Sequence, residues 1–475
     1  MPLLLPPHEH TEVTLPARKA LLAAHTDVLV VGGGPAGLGA SLGATATGAR
    51  AIMAERYGFL GGNATAALVM PLMSFHNEKK QAVSDDSFRL MPTDHGAGDP
   101  MVAGVLWRLL DRLVSRGGAI APSGHTGYTV PFDPELFKLA ALDLIDEGGV
   151  RLLLHSIASS VWENGGTHGV VFETKSGPIV ITASVVIDCT GDGDVAASAG
   201  APYEIGRPED GLTQPMTLMF RMVEFDKPRF EAYAREHPDQ WRGVHGLWQL
   251  IREATEAGEL QLQREDILFF ATPHPHEVSV NSTRVTGALG INVWDLTRAE
   301  VVTRRQMDQI SRFLCSHVPG FEEAYVAQSG VQVGVRETRR ILGDYQITGE
   351  DVLTARKFPD AIARGAYPVD IHNPEGTGTK LMRVPQGEAY DIPLRALLPR
   401  GLDWLLVAGR CISGTHVAHS SYRIMPIAMA TGQAAGACAG LAAKSSRKPR
   451  DVPAEEVQQA LRSQGANLRE NLEVY

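Results

Sequence analysis

The sequence predicts an α/β fold, in which a three-layer domain with a mostly parallel sheet and a small antiparallel meander receives an inserted α+β domain. Three observations predict it. A glycine-rich turn near residue 32 joins an apolar strand to a small-residue helix, alternating strand-like segments lie between residues 160 and 182, and an apolar strand returns near residue 405. The 475 residues, 44% hydrophobic and 21% charged, are enough for two or three lobes.

The first strand, turn and helix lie in Asp27-Val-Leu-Val-Val-Gly32-Gly33-Gly34-Pro35-Ala36-Gly37. Gly32 is expected to make the tight turn, Gly34 to let the backbone approach a pyrophosphate, and Gly37 to let the helix pack closely. A second strand ends in Glu55, whose carboxylate can accept a hydrogen bond from a ribose 2′-OH and would repel a 2′-phosphate. The pattern predicts a Rossmann-like domain that binds FAD or NAD(H) rather than NADPH.

The elements that follow are predicted from periodicity, turn residues and caps. Asp133 is a plausible N-cap for a helix that opens with Pro134. Asn-Gly and Ser-Gly turns separate the strands of the meander. Helices are predicted over 105–116 and 134–147, a strand over 150–155, meander strands over 160–163, 168–174 and 178–182, and a separate buried strand over 185–188.

The dinucleotide-binding domain is predicted to be discontinuous, comprising residues 1–202 and 386–445. Residues 203–385 form the inserted substrate domain, with strands at 267–270 and 278–281 and an amphipathic helix at 297–314, and residues 446–475 form a peripheral segment. The stretch 424–443 has the length of a membrane span, but its Ala and Gly content and central Gln433 favour a buried helix that faces the cofactor.

Two later segments repeat the pattern of a strand followed by a glycine turn. Thr190-Gly191-Asp192 follows a buried strand and could open a second dinucleotide site for NAD(P)H. Gly200 and Pro202 interrupt the helix that would follow, so a turn toward the first cofactor is favoured. The third segment, Gly409-Arg410, precedes a polar loop and the small-residue helix, whose N-terminal end could face an electron-rich ring.

With these segments, the sequence resembles the FAD-dependent oxidoreductases related to the fumarate reductase and succinate dehydrogenase flavoproteins, which have a glutathione-reductase-like fold. The resemblance covers residues 25–445 and includes 333–340, 366–372 and Arg423-Ile-Met-Pro. It implies one FAD, held noncovalently because the turn at 61–65 lacks the histidine used for attachment. The implied cofactor-binding residues are Gly32, Gly34, Pro35, Ala36, Gly37, Glu55, Arg56, Gly61, Gly62, Asn63, Thr65, Thr190, Gly191, Asp192, Gly409 and Arg410.

Flavin chemistry needs a group that moves a proton and usually cations that fix an anionic substrate. His372, His416 and His419 are the candidates for proton transfer, although a loop histidine can equally cap backbone or face solvent. Arg336 and Arg423 are candidate clamps for a carboxylate or phosphate, because a guanidinium offers two parallel donors. For Arg336, an ion pair with the adjacent Glu337 is an equal alternative.

Neither His416 with His419 nor His274 with His276 has a third ligand nearby in sequence, so no metal site is predicted. The four cysteines are widely spaced without a CxxC pair, which favours a reducing compartment. The start of the chain lacks a basic leader and a long apolar stretch, so a cytoplasmic N-terminus is expected.

The leading hypothesis is an FAD-dependent dehydrogenase or reductase that moves hydride between flavin N5 and a small polar organic molecule, with a histidine as proton shuttle. An oxidase or monooxygenase that uses oxygen is the first alternative, and a flavin-containing protein that modifies or binds RNA is the second. The net charge of −10 and the lack of a basic tract disfavour nucleic-acid binding, and no membrane partner is expected.

Overall fold

The computed structural model describes residue 4 and residues 13–79, 90–91, 98–123, 129–262, 264–376 and 378–469. Most of residues 1–10, on which the expected cytoplasmic N-terminus rests, lie outside them. The strands are β1 (Leu21–Val31), β2 (Ala51–Ala54), β3 (Arg151–Leu153), β4 (Ile157–Asn164), β5 (Thr167–Thr174), β6 (Gly177–Asp188), β7 (Tyr203–Ile205), β8 (Phe220–Val223), β9 (Trp241–Arg242), β10 (His245–Gly246), β11 (Ile267–Ala271), β12 (Glu277–Val280), β13 (Tyr325–Ser329), β14 (Arg339–Ile341), β15 (Ala361–Gly365), β16 (Val369–His372), β17 (Thr379–Met382), β18 (Tyr390–Pro393) and β19 (Leu405–Val407). The α-helices are α1 (Pro35–Thr45), α2 (Val105–Ser115), α3 (Pro134–Glu147), α4 (Asp194–Ser198), α5 (Lys227–Glu236), α6 (Trp248–Glu256), α7 (Val293–His317), α8 (Gly349–Leu353), α9 (His416–Tyr422), α10 (Met425–Ser445) and α11 (Ala454–Ser463).

The main sheet has seven strands, in the order β3-β2-β1-β6-β5-β4, with β19 also paired to β6. Strands β3, β2, β1, β6 and β19 run parallel, whereas β6, β5 and β4 form an antiparallel meander. This arrangement confirms the predicted α/β fold with a mostly parallel sheet and a small meander.

The two strands predicted at 178–182 and 185–188 are in fact one continuous strand, β6. Its first half lies between β1 and β5, and its last residues lie between β1 and β19. Ser184, between the two apolar runs, is exposed, but β6 has a pairing partner at every stage and continues through it.

Helix α3 has the predicted bounds, and the Asp133 side chain accepts a hydrogen bond of 2.8 Å from the Leu136 N–H. Helix α7 is longer than the predicted 297–314 because Asn292 caps its start, accepting from the backbone N–H groups of Trp294 and Asp295.

Helix α10 packs against α1 through its small residues. A Cβ added at Gly432 would lie 2.0 Å from the Ala36 carbonyl oxygen, and one at Gly436 would lie 2.0 Å from that of Ala40. These glycines therefore serve the close approach of two helices. In the described part of the chain no single helix is both long and apolar enough to cross a membrane; α9 and α10 meet the two criteria only when taken together, as a pair bent by 94°.

A six-stranded antiparallel sheet, in the order β13-β8-β12-β11-β10-β9, builds a second core from aromatic side chains that include Phe225, Phe230, Phe269 and Phe321. Ile341 and Ile392 belong to the core of the main sheet. The segment expected to be peripheral also contributes Val452, Val457 and Leu461 to that core, so its described part is firmly packed. The domain limits near residues 203, 386 and 446 stay a prediction.

Candidate functional site

The three glycine turns meet at one end of the parallel strands, after β1, β6 and β19. Gly32 has a φ of +105°, and a Cβ there would lie 2.4 Å from the carbonyl oxygen of Cys189, in the loop after β6. The loops after β1 and β6 therefore run side by side. They line one cleft, whose walls include the predicted residues Gly32, Gly34, Pro35, Ala36, Glu55, Arg56, Gly62, Asn63, Thr190, Gly191, Asp192, Gly409 and Arg410.

Three predicted binding residues support these loops from behind. A Cβ at Gly37 would lie 1.8 Å from the Gly32 carbonyl oxygen, so glycine there lets α1 approach the turn. The Gly61 N–H donates to the Gly33 carbonyl at 2.8 Å, and the Thr65 hydroxyl donates to the Leu60 carbonyl at 2.8 Å. Gly37, Gly61 and Thr65 thus shape the cleft rather than line it.

Gly34, unlike Gly32 and Gly37, has room for a side chain. A Cβ at this position would meet only backbone atoms of Gly62, the nearest at 3.6 Å, which is an ordinary contact. Its backbone angles, φ −75° and ψ −172°, are open to any residue. The protein itself therefore does not require glycine at position 34, and a ligand that approaches the backbone accounts for it.

Glu55 lies beside this turn with 5% of its surface exposed. Its carboxylate accepts from the backbone N–H of Gly33 at 2.6 Å and of Tyr57 at 2.8 Å. Burial raises the pKa of Glu55, and the two backbone donors oppose that rise. Each oxygen retains a lone pair for a further donor, such as a ribose hydroxyl.

Arg56 and Arg410 both line the cleft and are both held by neighbours. Arg56 donates to the Gln332 side chain at 2.8 Å, and Arg410 donates to Asp192 Oδ1 at 2.8 Å. The Thr338 hydroxyl donates to the same oxygen of Asp192 at 2.7 Å. Asp192 therefore orients Arg410.

Two helices begin at the cleft. Gly34 is the N-cap of α1 and Ile424 is the N-cap of α10, and within the described structure neither provides a side-chain cap. Met425 and Ala428, in the first turn of α10, line the cleft. Uncapped N-terminal N–H groups and the positive ends of the helix dipoles suit a phosphate and an electron-rich group. The lining therefore fits a dinucleotide.

At the α10 end of the cleft, Arg423 connects to the first of the predicted histidines. Arg423 donates to Asp370 Oδ2 at 3.2 Å, and His372 Nε2 lies 3.5 Å from the same oxygen. On the other side of the ring, His372 Nδ1 lies 3.4 Å from Arg284 Nη2 and 3.3 Å from the Thr379 hydroxyl. The imidazole is thus held between a carboxylate and a guanidinium.

The pKa values of this group follow from burial and charge. Burial lowers the pKa of His372 to about 4, with Asp370 opposing the change and Arg336 adding to it. Burial alone would raise the pKa of Asp370, but His372, Arg423 and Arg336 hold it well below its usual range. At neutral pH the pair is therefore a neutral imidazole beside a carboxylate.

Arg336 makes no ion pair with Glu337, so that alternative is wrong in this structure. It donates to the Pro215 carbonyl at 2.6 Å and to the Thr217 hydroxyl at 2.7 Å. Burial first, and the charge of Arg423 second, lower the pKa of Arg336 to about 9. The guanidinium is partly buried and lies near another cation.

Glu337 instead holds a second buried network, which is joined to the group around His372 through Gln214. It accepts from Arg340 Nη1 at 2.5 Å and from the Gln214 backbone N–H at 3.1 Å, and it lies 2.9 Å from His416 Nδ1. His416 thus contacts Glu337, and its role in proton transfer stays a prediction.

His419 is 1% exposed, and within the described residues its Nδ1 has no hydrogen-bond partner. Burial, followed by the charges of Arg340 and Arg423, holds the pKa of His419 well below its usual value. Its ring meets Tyr422 edge-on at 5.5 Å. His419 is therefore a neutral side chain packed in the core.

The side chains of His274 and Asp133 are joined by a contact of 2.8 Å. Within the described parts of the chain, no group of three or more His, Cys, Asp and Glu side chains is arranged to hold a metal ion.

Sequence reasoning did not single out Arg284 or Gln214, which both contact His372. Asp370 lies inside a segment that the resemblance included, but without an assigned role. Arg284 follows a short strand with no motif around it, so only strand pairing brings it to the site. No local signal in the sequence marks either residue.

A family model described as FAD dependent oxidoreductase matches residues 27–461. No curated protein matches the chain in sequence. Similar solved structures include a geranylgeranyl bacteriochlorophyll reductase-like protein from Thermoplasma acidophilum (14% identity, 93% of this chain and 83% of that chain, TM-score 0.43), p-nitrophenol 4-monooxygenase from Pseudomonas putida (10%, 92% and 84%, 0.44) and a flavin-dependent brominase (12%, 92% and 83%, 0.43). The family match spans both the glycine turns and the group around His372.

Proposed function

Because the chain belongs to the FAD-dependent oxidoreductase family, whose cofactor is FAD, we propose that it moves hydride between FAD and a small polar organic substrate, with His372 carrying the proton. We place this activity within the branch related to the fumarate reductase and succinate dehydrogenase flavoproteins. The observation that carries the proposal is the neutral His372, held between Asp370 and Arg284 next to the cofactor cleft.

In this proposal the cleft holds FAD along its length. The uncapped start of α1 and the open face of Gly34 receive the pyrophosphate, and Glu55 receives the ribose. The start of α10, at Met425, faces the ring. Bound FAD supplies a hydride acceptor or donor at N5, and the protein supplies position and charge.

We propose that His372, although its low pKa makes it a weak base, takes the proton of the substrate. An arginine can only donate a hydrogen bond, so the contact with Arg284 makes Nδ1 the acceptor and leaves the proton on Nε2, facing Asp370. A pKa of about 4 keeps the ring unprotonated at neutral pH. We therefore assign oxidation of the substrate as the favoured direction, with Nδ1 as the base after the substrate has displaced the Arg284 N–H from it.

We further propose that the protein acts in the cytoplasm on a small molecule, without a nucleic-acid or membrane partner. The net charge of −10 supports the exclusion of nucleic acid. A protein that retained tRNA at low salt would contradict this part of the proposal.

The test begins with the purified holoprotein. Acid should release its pigment as free FAD, and anaerobic addition of small alcohols, hydroxy acids and amines should identify a compound that bleaches the flavin. His372→Gln should keep its FAD but bleach about 100-fold more slowly or worse, because it lacks a base. His276→Gln, at an exposed position, is the matched control and should bleach at the normal rate.

Full bleaching speed in His372→Gln would contradict the assignment of the base. The rate at which the reduced flavin recolours in air separates a dehydrogenase from an oxidase or monooxygenase, which would use the same flavin. Rapid recolouring with formation of peroxide or a hydroxylated product would identify an oxidase or monooxygenase instead of a dehydrogenase.

A further inference from the structure

Gln332 lines the cofactor cleft together with Arg56 and Tyr57, and its side chain is tied to both. Arg56 donates to Gln332 Oε1 at 2.8 Å, and the Tyr57 hydroxyl donates to the same oxygen. Arg56 and Tyr57 directly follow Glu55, close to the end of β2, whereas Gln332 lies between β13 and β14. One side-chain contact therefore joins two distant segments of the chain at the cleft.

Both groups that contact Gln332 Oε1 are donors. An arginine can only donate a hydrogen bond, and burial raises the pKa of Tyr57, so its phenol keeps its proton. The Arg56 guanidinium also lies over the Tyr57 ring, 4.8 Å from its centroid. Two donors occupy both lone pairs of Gln332 Oε1, which fixes the orientation of the amide group.

The backbone around Gln332 is anchored as well. The N–H groups of Val331 and Gln332 donate to the Ala66 carbonyl at 2.7 and 3.3 Å, and the Val333 N–H donates to Glu300 Oε1 at 2.7 Å. Val331 is 58% exposed, whereas Val333 is buried and lines the cleft beside Glu300. The segment 331–333 thus runs from the surface into the wall of the cleft.

We propose that Gln332 is a clasp, whose contact with Arg56 and Tyr57 must open before FAD can enter or leave the cleft. The clasp lies beside Glu55, where the adenosine ribose is expected. It is made by the protein alone, so it closes with or without the cofactor and should slow binding and release alike. The inference concerns retention of FAD and is independent of the hydride transfer proposed above.

Release of FAD from the holoprotein measures the clasp. Exchange of bound FAD against an excess of labelled FAD gives the dissociation rate, and serial dilution followed by flavin fluorescence gives the Kd. Gln332→Ala should release FAD about tenfold faster, because one charged and one neutral hydrogen bond no longer have to open. Its Kd should stay within about twofold of the wild-type value, because the clasp has the same energy in the free and the bound protein.

Tyr57→Phe is a gentler variant, because it removes only the hydroxyl group. It should speed the release of FAD about threefold, as expected for one neutral hydrogen bond. In the Gln332→Ala background the same substitution should have no further effect, because the acceptor of that hydroxyl is already gone. Gln261→Ala and Tyr325→Phe, at exposed positions, are the matched controls and should release FAD at the wild-type rate.

The inference is overturned if Gln332→Ala releases FAD at the wild-type rate, even when its unfolding temperature is lowered, since the contact would then serve the fold alone. It is also overturned if Tyr57→Phe speeds release equally with and without Gln332. A Kd that rises in step with the release rate would overturn it as well, because Gln332 would then hold FAD by direct contact.

Discussion

The dinucleotide cleft and the group around His372 adjoin at Arg423, yet they are built in different ways. The cleft is a backbone structure, made by three glycine turns that each follow one parallel strand. The second group, here called the arginine cluster, consists of Gln214, Arg284, Arg336, Asp370, His372 and Arg423. It is a side-chain structure assembled from segments far apart in the chain.

The two regions differ in what fixes the residue type at each position. In the cleft, residue type is fixed by space, since a Cβ at Gly32 or Gly37 would collide with backbone. In the arginine cluster it is fixed by charge and by hydrogen bonds across strands, which any sufficiently close segment could supply. The comparison can be tested by perturbing each kind of constraint in turn.

The largest effect is expected at the turn after β1. Gly37→Ala places a Cβ 1.8 Å from the Gly32 carbonyl oxygen, so the turn and helix α1 must move and the protein should lose both stability and FAD. Gly34→Ala meets nothing closer than 3.6 Å within the protein, so its fold should persist. Its FAD content should nevertheless fall about tenfold, because the new methyl group occupies the face that a pyrophosphate approaches.

The two variants serve as controls for each other, and the measurements are the FAD to protein ratio and the unfolding temperature of the apoprotein. If Gly34→Ala retained full FAD content, the turn would not be the pyrophosphate site. If Gly37→Ala kept a normal unfolding temperature, steric crowding would not explain that glycine.

This contrast also explains how much the sequence could predict. The fingerprint at Gly32–Gly37 and the acid at Glu55 are local and regularly spaced, so the first strands of the parallel sheet and the first turn of the cleft followed from them. Helix α3 followed from its own local signal, Asp133 before Pro134. Arg284 could not be found in this way, because its partner Gln306 and its neighbour Thr217 are set by tertiary pairing. The roles assigned to Arg336 and the histidines stay predictions.

A second, smaller effect is expected from the network beneath the arginine cluster. Glu337→Gln removes the buried charge that faces Arg340 and His416, and should lower the free energy of unfolding by about 3 kcal/mol. Substitution of Glu323, an exposed glutamate, by Gln should change it by less than about 0.5 kcal/mol. The midpoint of denaturant unfolding measures both.

The same variant tests whether His416 is structural. If Glu337→Gln kept wild-type stability but lost flavin reduction, then Glu337 and His416 would belong to the reaction, and the separation between a supporting network and an active cluster would fail.

The smallest effect concerns pH. His372 has a pKa of about 4 in the folded protein against 6.5 when unperturbed, mainly because it is buried. As the pH falls below about 6.5, His372 becomes protonated in the unfolded chain, whereas in the folded protein it stays neutral until about pH 4. Between about pH 7 and 4.5 this should lower the free energy of unfolding by roughly 2 kcal/mol.

His372→Gln cannot take up this proton, so its unfolding temperature should fall less steeply than that of the wild type as the pH is lowered. His276→Gln, at an exposed position, should follow the wild-type curve. Asp370 stays ionised across this range because His372, Arg423 and Arg336 hold its pKa low against the effect of burial, and it adds no slope. If the unfolding temperatures of wild type and His372→Gln fell equally with pH, the ring would not be held neutral between Asp370 and Arg284. The contrast between the cleft and the arginine cluster would then lose its support from charge.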